Sequence, residues 1–190
     1  MQSLNLNTIY KTLNKAKQKG RAKAPRLCLR RKARAEDIMS LAIHARDFLN
    51  ACEILRESNE ALIEKRGGAE MAYGRYPAMG VDIVCLAFSV ELHLKELHRV
   101  VSGKIPKGHN IAKLFRALPV SIQEEVVSHQ SIKKYGWSDA EIKCELLAIS
   151  DGFEKWRYAY ESATLRYNYY FAKVLIEASQ FIASKKDIDV

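Results

Sequence analysis

A chain of 190 residues, 48% hydrophobic and 28% charged, is long enough to bury a core without disulfide or metal staples and too balanced for a fibrous or wholly disordered protein. Its longest apolar run, Ile83 to Phe88, falls far short of the roughly 18 residues that suggest a membrane span. The net charge of +9 is concentrated at one end, so it describes a segment and not the whole surface.

Residues 1–35 hold 11 basic residues and no acid, the first being Glu36; the other 20 basic residues share residues 36–190 with all 22 acids. Residues 1–14 are weakly amphipathic through Leu4, Leu6, Ile9, Tyr10 and Leu13. Residues 15–35 read as a basic linker broken by Gly20 and Pro25. Such a one-signed arm suits RNA or another polyanion, with Arg30, Arg31, Lys32 and Arg34 as candidate contacts. The bland alternatives are a solvated tail or an upstream extension ahead of Met39.

The first strong helix is predicted from about Ala35 to Glu64. Leu41, Ala45, Phe48, Cys52, Leu55 and Leu62 recur on one face, and Gly67-Gly68 ends it. After a loop with Tyr73, Arg75, Tyr76 and Pro77, a second helix is predicted from Val81 to Val101, apolar nearly all round in its first half and so central to the core. Asn110 reads as the N-cap of a short helix over 111–118, stopped by Pro119. Ser121 with Glu124, and Ser138 with Glu141, each read as a capping box, the second starting a helix from 139 to about 150. Asp151-Gly152 marks a break before a helical stretch from Phe153 to Tyr160. The last helix is predicted from Leu165 to Ser184, burying Phe171, Val174, Leu175, Ala178, Phe181 and Ile182. There is no Gly-rich phosphate loop and no strand–helix alternation. The expected class is all-α: an antiparallel bundle of four to five main helices with short accessory helices.

Cys28, Cys52, Cys85 and Cys144 form no C-x-x-C pair and have no His at zinc-finger spacing, so free thiols and a reducing compartment are expected, without metal or other cofactor. His93 and His98 are five apart on the second helix, where two ligands on one face would stand three or four apart; they read as solvent or interface residues. Glu91 with Lys95, and Arg157 with Glu161, are each four apart and able to pair on one helical face. With His109 they make a candidate polar cluster, either an ionic network that fixes helix register or a site for phosphate and RNA. Tyr158, Tyr160, Tyr167, Tyr169 and Tyr170 are interleaved with Arg157 and Arg166, a pattern that serves stacking on bases or a protein interface.

Three stretches, in this order, resemble the HEPN superfamily of helical domains: Ala87-Phe88-Ser89-Val90-Glu91-Leu92-His93-Leu94-Lys95-Glu96-Leu97, then Gly108-His109-Asn110-Ile111-Ala112-Lys113-Leu114, then Trp156-Arg157-Tyr158-Ala159-Tyr160-Glu161. The resemblance implies a HEPN-like bundle over 39–187 behind a basic, partly disordered arm, 1–38. It also implies a cytoplasmic, frequently dimeric protein from prokaryotic defence, toxin–antitoxin or RNA-processing settings. Many such domains are metal-independent ribonucleases that pair an Arg with a His four to six residues later. Arg157 matches that Arg, but Ser162, Ala163 and Thr164 stand where the His belongs. The implied function is therefore a non-catalytic module binding RNA or a protein partner. The alternatives are a divergent ribonuclease using Arg157 with His109 or Glu161, and a dimerising scaffold.

Overall fold

The computed structural model describes residues 26–65, 80–157 and 167–188. The class is all-α, and no strand occurs among the described residues. The chain divides into two compact units, Met1–Ile38 and Met39–Val190.

Helix α1, Arg26–Lys65, begins directly after Pro25 and not at about Ala35. The stretch from Arg26 to Ala35 is thus helical, where a linker was expected. Leu, Arg, Lys and Ala are strong helix formers, and a proline just ahead of a helix has no N–H to lose and a pre-set φ. In the second unit, Ala45 and Cys52 bury the inner face of α1. Burial pushes the Cys52 thiol up to about 11, which leaves it an inert part of the core.

Helix α2, Val81–Ser102, is the central element, opened by Gly80 at φ 90° and closed by Gly103 at φ 68°, whose N–H donates to Arg99 O. The positive φ at each end is the conformation glycine adopts at least cost. From Leu86 to His98 α2 is largely buried. It packs most extensively against the last helix, α8, Tyr169–Ile188, and then against α7, Gly152–Arg157. Leu86, Leu94 and Leu97 of α2 and Phe171, Leu175 and Ile182 of α8 are among the largest fully buried side chains. Glu53 and Lys173 pair between α1 and α8, and the Arg56 guanidinium lies 3.9 Å over the Tyr169 ring.

Between α2 and α7 lie α3, Ile111–Arg116; α4, Val120–Val127; α5, Gln130–Lys133; and α6, Asp139–Ile149. Asn110 caps α3 as expected, its side chain accepting from Lys113 N. The Ser138–Glu141 capping box is formed at the start of α6. The Ser121–Glu124 box is not, because α4 already starts at Val120 with Pro119 as its N-cap, placing Ser121 inside the helix. Gln123 instead turns back, its Nε2 donating to Leu118 O at 2.7 Å.

The last helix starts at Tyr169 and not at Leu165, with the Asn168 side chain accepting from Phe171 N at 3.0 Å. Phe181 leaves the predicted buried stripe: it is 55% exposed, at the stripe's edge, with its ring 4.9 Å from that of His129. Gly152, at the start of α7, is required by close packing. A Cβ there would stand 2.6 Å from Tyr167 Cε2 and 3.0 Å from Ala87 Cβ.

Candidate functional site

Glu91 lies mid-way along α2 and is 1% exposed. A bare carboxylate at such a depth is costly, and it persists only where partners satisfy it. Lys95, one turn further on, donates from Nζ to Glu91 Oε1 at 2.7 Å. His109, in the loop ahead of α3, places Nδ1 3.0 Å and 3.1 Å from the two carboxylate oxygens. An ionised carboxylate only accepts, so Nδ1 carries the hydrogen. In the neutral ring Nε2 is then left with its lone pair, the tautomer a carboxylate selects in an acid–base histidine.

The loop that delivers His109 is fixed from several sides. Asn110 Nδ2 donates to Asp151 Oδ1 at 2.6 Å while its Oδ1 caps α3. Ile111 N donates to Ser150 O at 3.0 Å, and Ala112 N to Ser150 Oγ at 3.3 Å. His98 Nε2 lies 2.8 Å from Leu114 O, joining α2 to α3. The His109 ring lies 5.8 Å from Phe153 of α7. Phe153 stacks on Phe88 at 4.9 Å, and Phe88 meets Phe48 of α1 edge-on at 4.5 Å.

For all these ties, the His109 side chain is 49% exposed. It lines a recess of about 590 Å³ together with Lys107, Asn110, Lys113 and Asp151. Two exposed lysines lining a recess favour an anion there against the single charge of Asp151, and a half-exposed imidazole oriented by a buried carboxylate can exchange a proton with it. The same bonds also anchor the loop to the core.

Of the expected cluster, the structure brings together Glu91, Lys95 and His109. Arg157 is the last residue of α7, one turn after Phe153. Its side chain, and the whole of Tyr158, Tyr160 and Glu161, lie outside the described residues. Arg30, Arg31, Lys32 and Arg34 fall within α1, their side chains likewise undescribed.

His93 and His98 are not solvent residues but are buried in the core. His93 Nδ1 donates to Ser89 O at 2.8 Å, and its Nε2 accepts from Gln180 Nε2 of α8 at 2.6 Å. Ser89 Oγ in turn donates to Ala45 O of α1 at 2.8 Å. Burial lowers the His93 pKa below its ordinary value, and the charge of Arg46 adds to this, while the bond to Ser89 and the charge of Glu96 oppose it. His93 is therefore a neutral joint between α1, α2 and α8.

No sequence signal marks Asp151 and Ser150 as site residues; the Asp151-Gly152 pair reads as a break, and the partners that make it a fixture are about forty positions away. A second hollow, of about 780 Å³, opens between α3, α4 and α6 and is walled by Phe115, Val120, Val127, Ile142, Leu146 and Leu147. Among the described residues no group of three or more His, Cys, Asp and Glu could hold a metal ion. Compared with models of known protein families, with curated proteins and with solved structures, the chain matches none.

Proposed function

We propose that this chain is an HEPN-like helical module that binds RNA through the basic start of α1. The observation that carries the reading is that α1 begins at Arg26, with no acidic residue in its first turn. Helical spacing puts positions 26, 30 and 34, all Arg, one turn apart along a single stripe, with Arg31 to one side of it, Lys32 on the far side of the helix, and no acid before Glu36. Like charges at such spacing destabilise an isolated helix, and the positive end of the helix dipole adds to their repulsion. A polyanion removes that penalty, and the phosphate spacing of a nucleic acid supplies one.

Anisotropy of a labelled single-stranded RNA, titrated with the full chain over a range of salt, tests this. Replacing Arg26, Arg30 and Arg34 together by Gln is expected to flatten the slope of log K against log salt by about 2, since each lost phosphate contact on a single strand removes about 0.7. A slope that the triple variant leaves unchanged refutes the assignment to α1.

The Glu91–His109 geometry favours a second reading, a divergent metal-independent ribonuclease with His109 as the proton-transfer group. It requires that purified protein cleave RNA in EDTA and that His109→Ala abolish the cleavage. Intact RNA after incubation with the wild-type chain removes it.

A further inference from the structure

The turn that leaves α5 exposes an aromatic ring, Tyr135, laid on a second ring, Trp137, that packs against the core. Ile132 of α5 is buried, and after it Tyr135 N donates to Ile132 O and Gly136 N to Lys133 O. Gly136 has φ 66°. In an extended strand, residues two apart would share a face without closing on each other, whereas this left-handed step folds the chain back. The rings of Tyr135 and Trp137 consequently lie nearly parallel, 4.6 Å apart with 8° between their planes.

The two rings have different roles. Trp137 meets the fully buried Phe171 at 5.3 Å in an edge-on contact, so it is anchored to the core. Tyr135 rides on Trp137 and is 43% exposed. The Lys134 ammonium stands 5.3 Å from the centre of the Tyr135 ring, and Lys133 beside it is also exposed. No Asp or Glu occurs between His129 and Ser138.

We propose that Tyr135, backed by Trp137, is a stacking platform for an unpaired base of a single-stranded nucleic acid, with Lys133 and Lys134 pairing to its phosphates. A planar ring held parallel to a second ring is already oriented; the flexible Lys134 ammonium over it can swing to a phosphate as a base takes its place, and every base has a π-face to lay there. Paired bases in a duplex are stacked on one another and cannot do so. The adjoining cations, on a turn with no Asp or Glu between His129 and Ser138, complement the charge of the strand. The proposal does not depend on the basic stripe of α1, which lies elsewhere in the sequence.

The test uses the full chain with Tyr135→Ala and Tyr135→Phe variants, and labelled oligouridylate, a hairpin duplex of equal length and polyglutamate as probes. Tyr135 lies outside the core, so both variants retain the fold. Tyr135→Ala is expected to bind the single strand about tenfold more weakly, Tyr135→Phe to bind it like wild type, and the duplex and polyglutamate to be unaffected. Tryptophan emission is expected to be quenched on saturation with the single strand. The platform is refuted by undiminished single-strand binding in Tyr135→Ala, by equal losses on the duplex, or by the same loss on polyglutamate. A salt slope indifferent to Arg26, Arg30 and Arg34 would overturn the α1 reading alone and leave the Tyr135 difference standing.

Discussion

Glu91 and His93 stand two residues apart on α2, and each takes a polar group into the core by a different route. His93 does it without charge: a neutral ring hands one hydrogen to Ser89 O and accepts another from Gln180, and the chain of bonds continues through Ser89 to α1. Both ring nitrogens are used, and nothing is left over for a ligand. Glu91 does it with charge, and its partners are Lys95 on the same helix and His109 in a loop. There the last member of the cluster is half exposed and lines an open recess. The closed network has the properties of a joint. The open one has the properties of a joint that also offers chemistry, which is why the candidate site is placed at Glu91–His109 and not at the more deeply buried histidine.

The sharpest way to break this comparison is to remove the carboxylate. Glu91→Ala deprives Lys95 and His109 of their common partner, and breaking a buried ion pair from one side is expected to cost about 3 kcal/mol. Urea unfolding checks it through a lower midpoint at unchanged m-value. A loss no larger than that of an exposed pair would mean that water already reaches the carboxylate. A smaller effect comes from the packing that presses α7 onto α2. Gly152→Ala places a methyl against Tyr167 and Ala87, and overpacking of this kind is expected to cost about 2 kcal/mol. Thermal unfolding reads that loss. If Phe153 orients His109 through their ring contact, the His109 ring resonances shift in the same variant.

How much of this is legible in the sequence follows from the range of each interaction. The Ser138–Glu141 box and the Asn110 cap are local, and the sequence alone locates them. Glu91–Lys95 is one helical turn and is found by spacing alone. The Ser121–Glu124 pattern misleads because Pro119 starts α4 before it. The α1 start misleads in the other direction: charge suggests a linker where helix propensity prevails. The roles of His93 and Asp151 are invisible beforehand because their partners, Gln180 and Asn110, are remote in the chain and carry no periodic signal. Phe181 fits the spacing of a buried stripe yet stands at its edge, where period does not distinguish flank from core. Arg157 and Glu161 can be paired by spacing, but that pairing falls outside the described residues.

The mildest effect is a slope, and it isolates His93. Burial holds the folded His93 pKa below its ordinary 6.5, so the unfolded chain takes up a proton there before the folded chain does. The unfolded state thus binds more protons below about 6.5, and stability, full above that pH, declines as the pH falls toward the depressed folded value. One proton limits the decline to about 1.4 kcal/mol per pH unit. Glu96 on α2 acts against the shift and Arg46 on α1 with it, while Gln180 on α8 contributes no charge. Urea unfolding of wild type and His93→Gln between pH 7.5 and pH 5 compares them, with the remaining histidines common to both. The variant is expected to lose less stability on acidification than wild type. Parallel curves would mean that the folded protein accommodates the imidazolium at this position, and the neutral joint between α1, α2 and α8 would have to be abandoned.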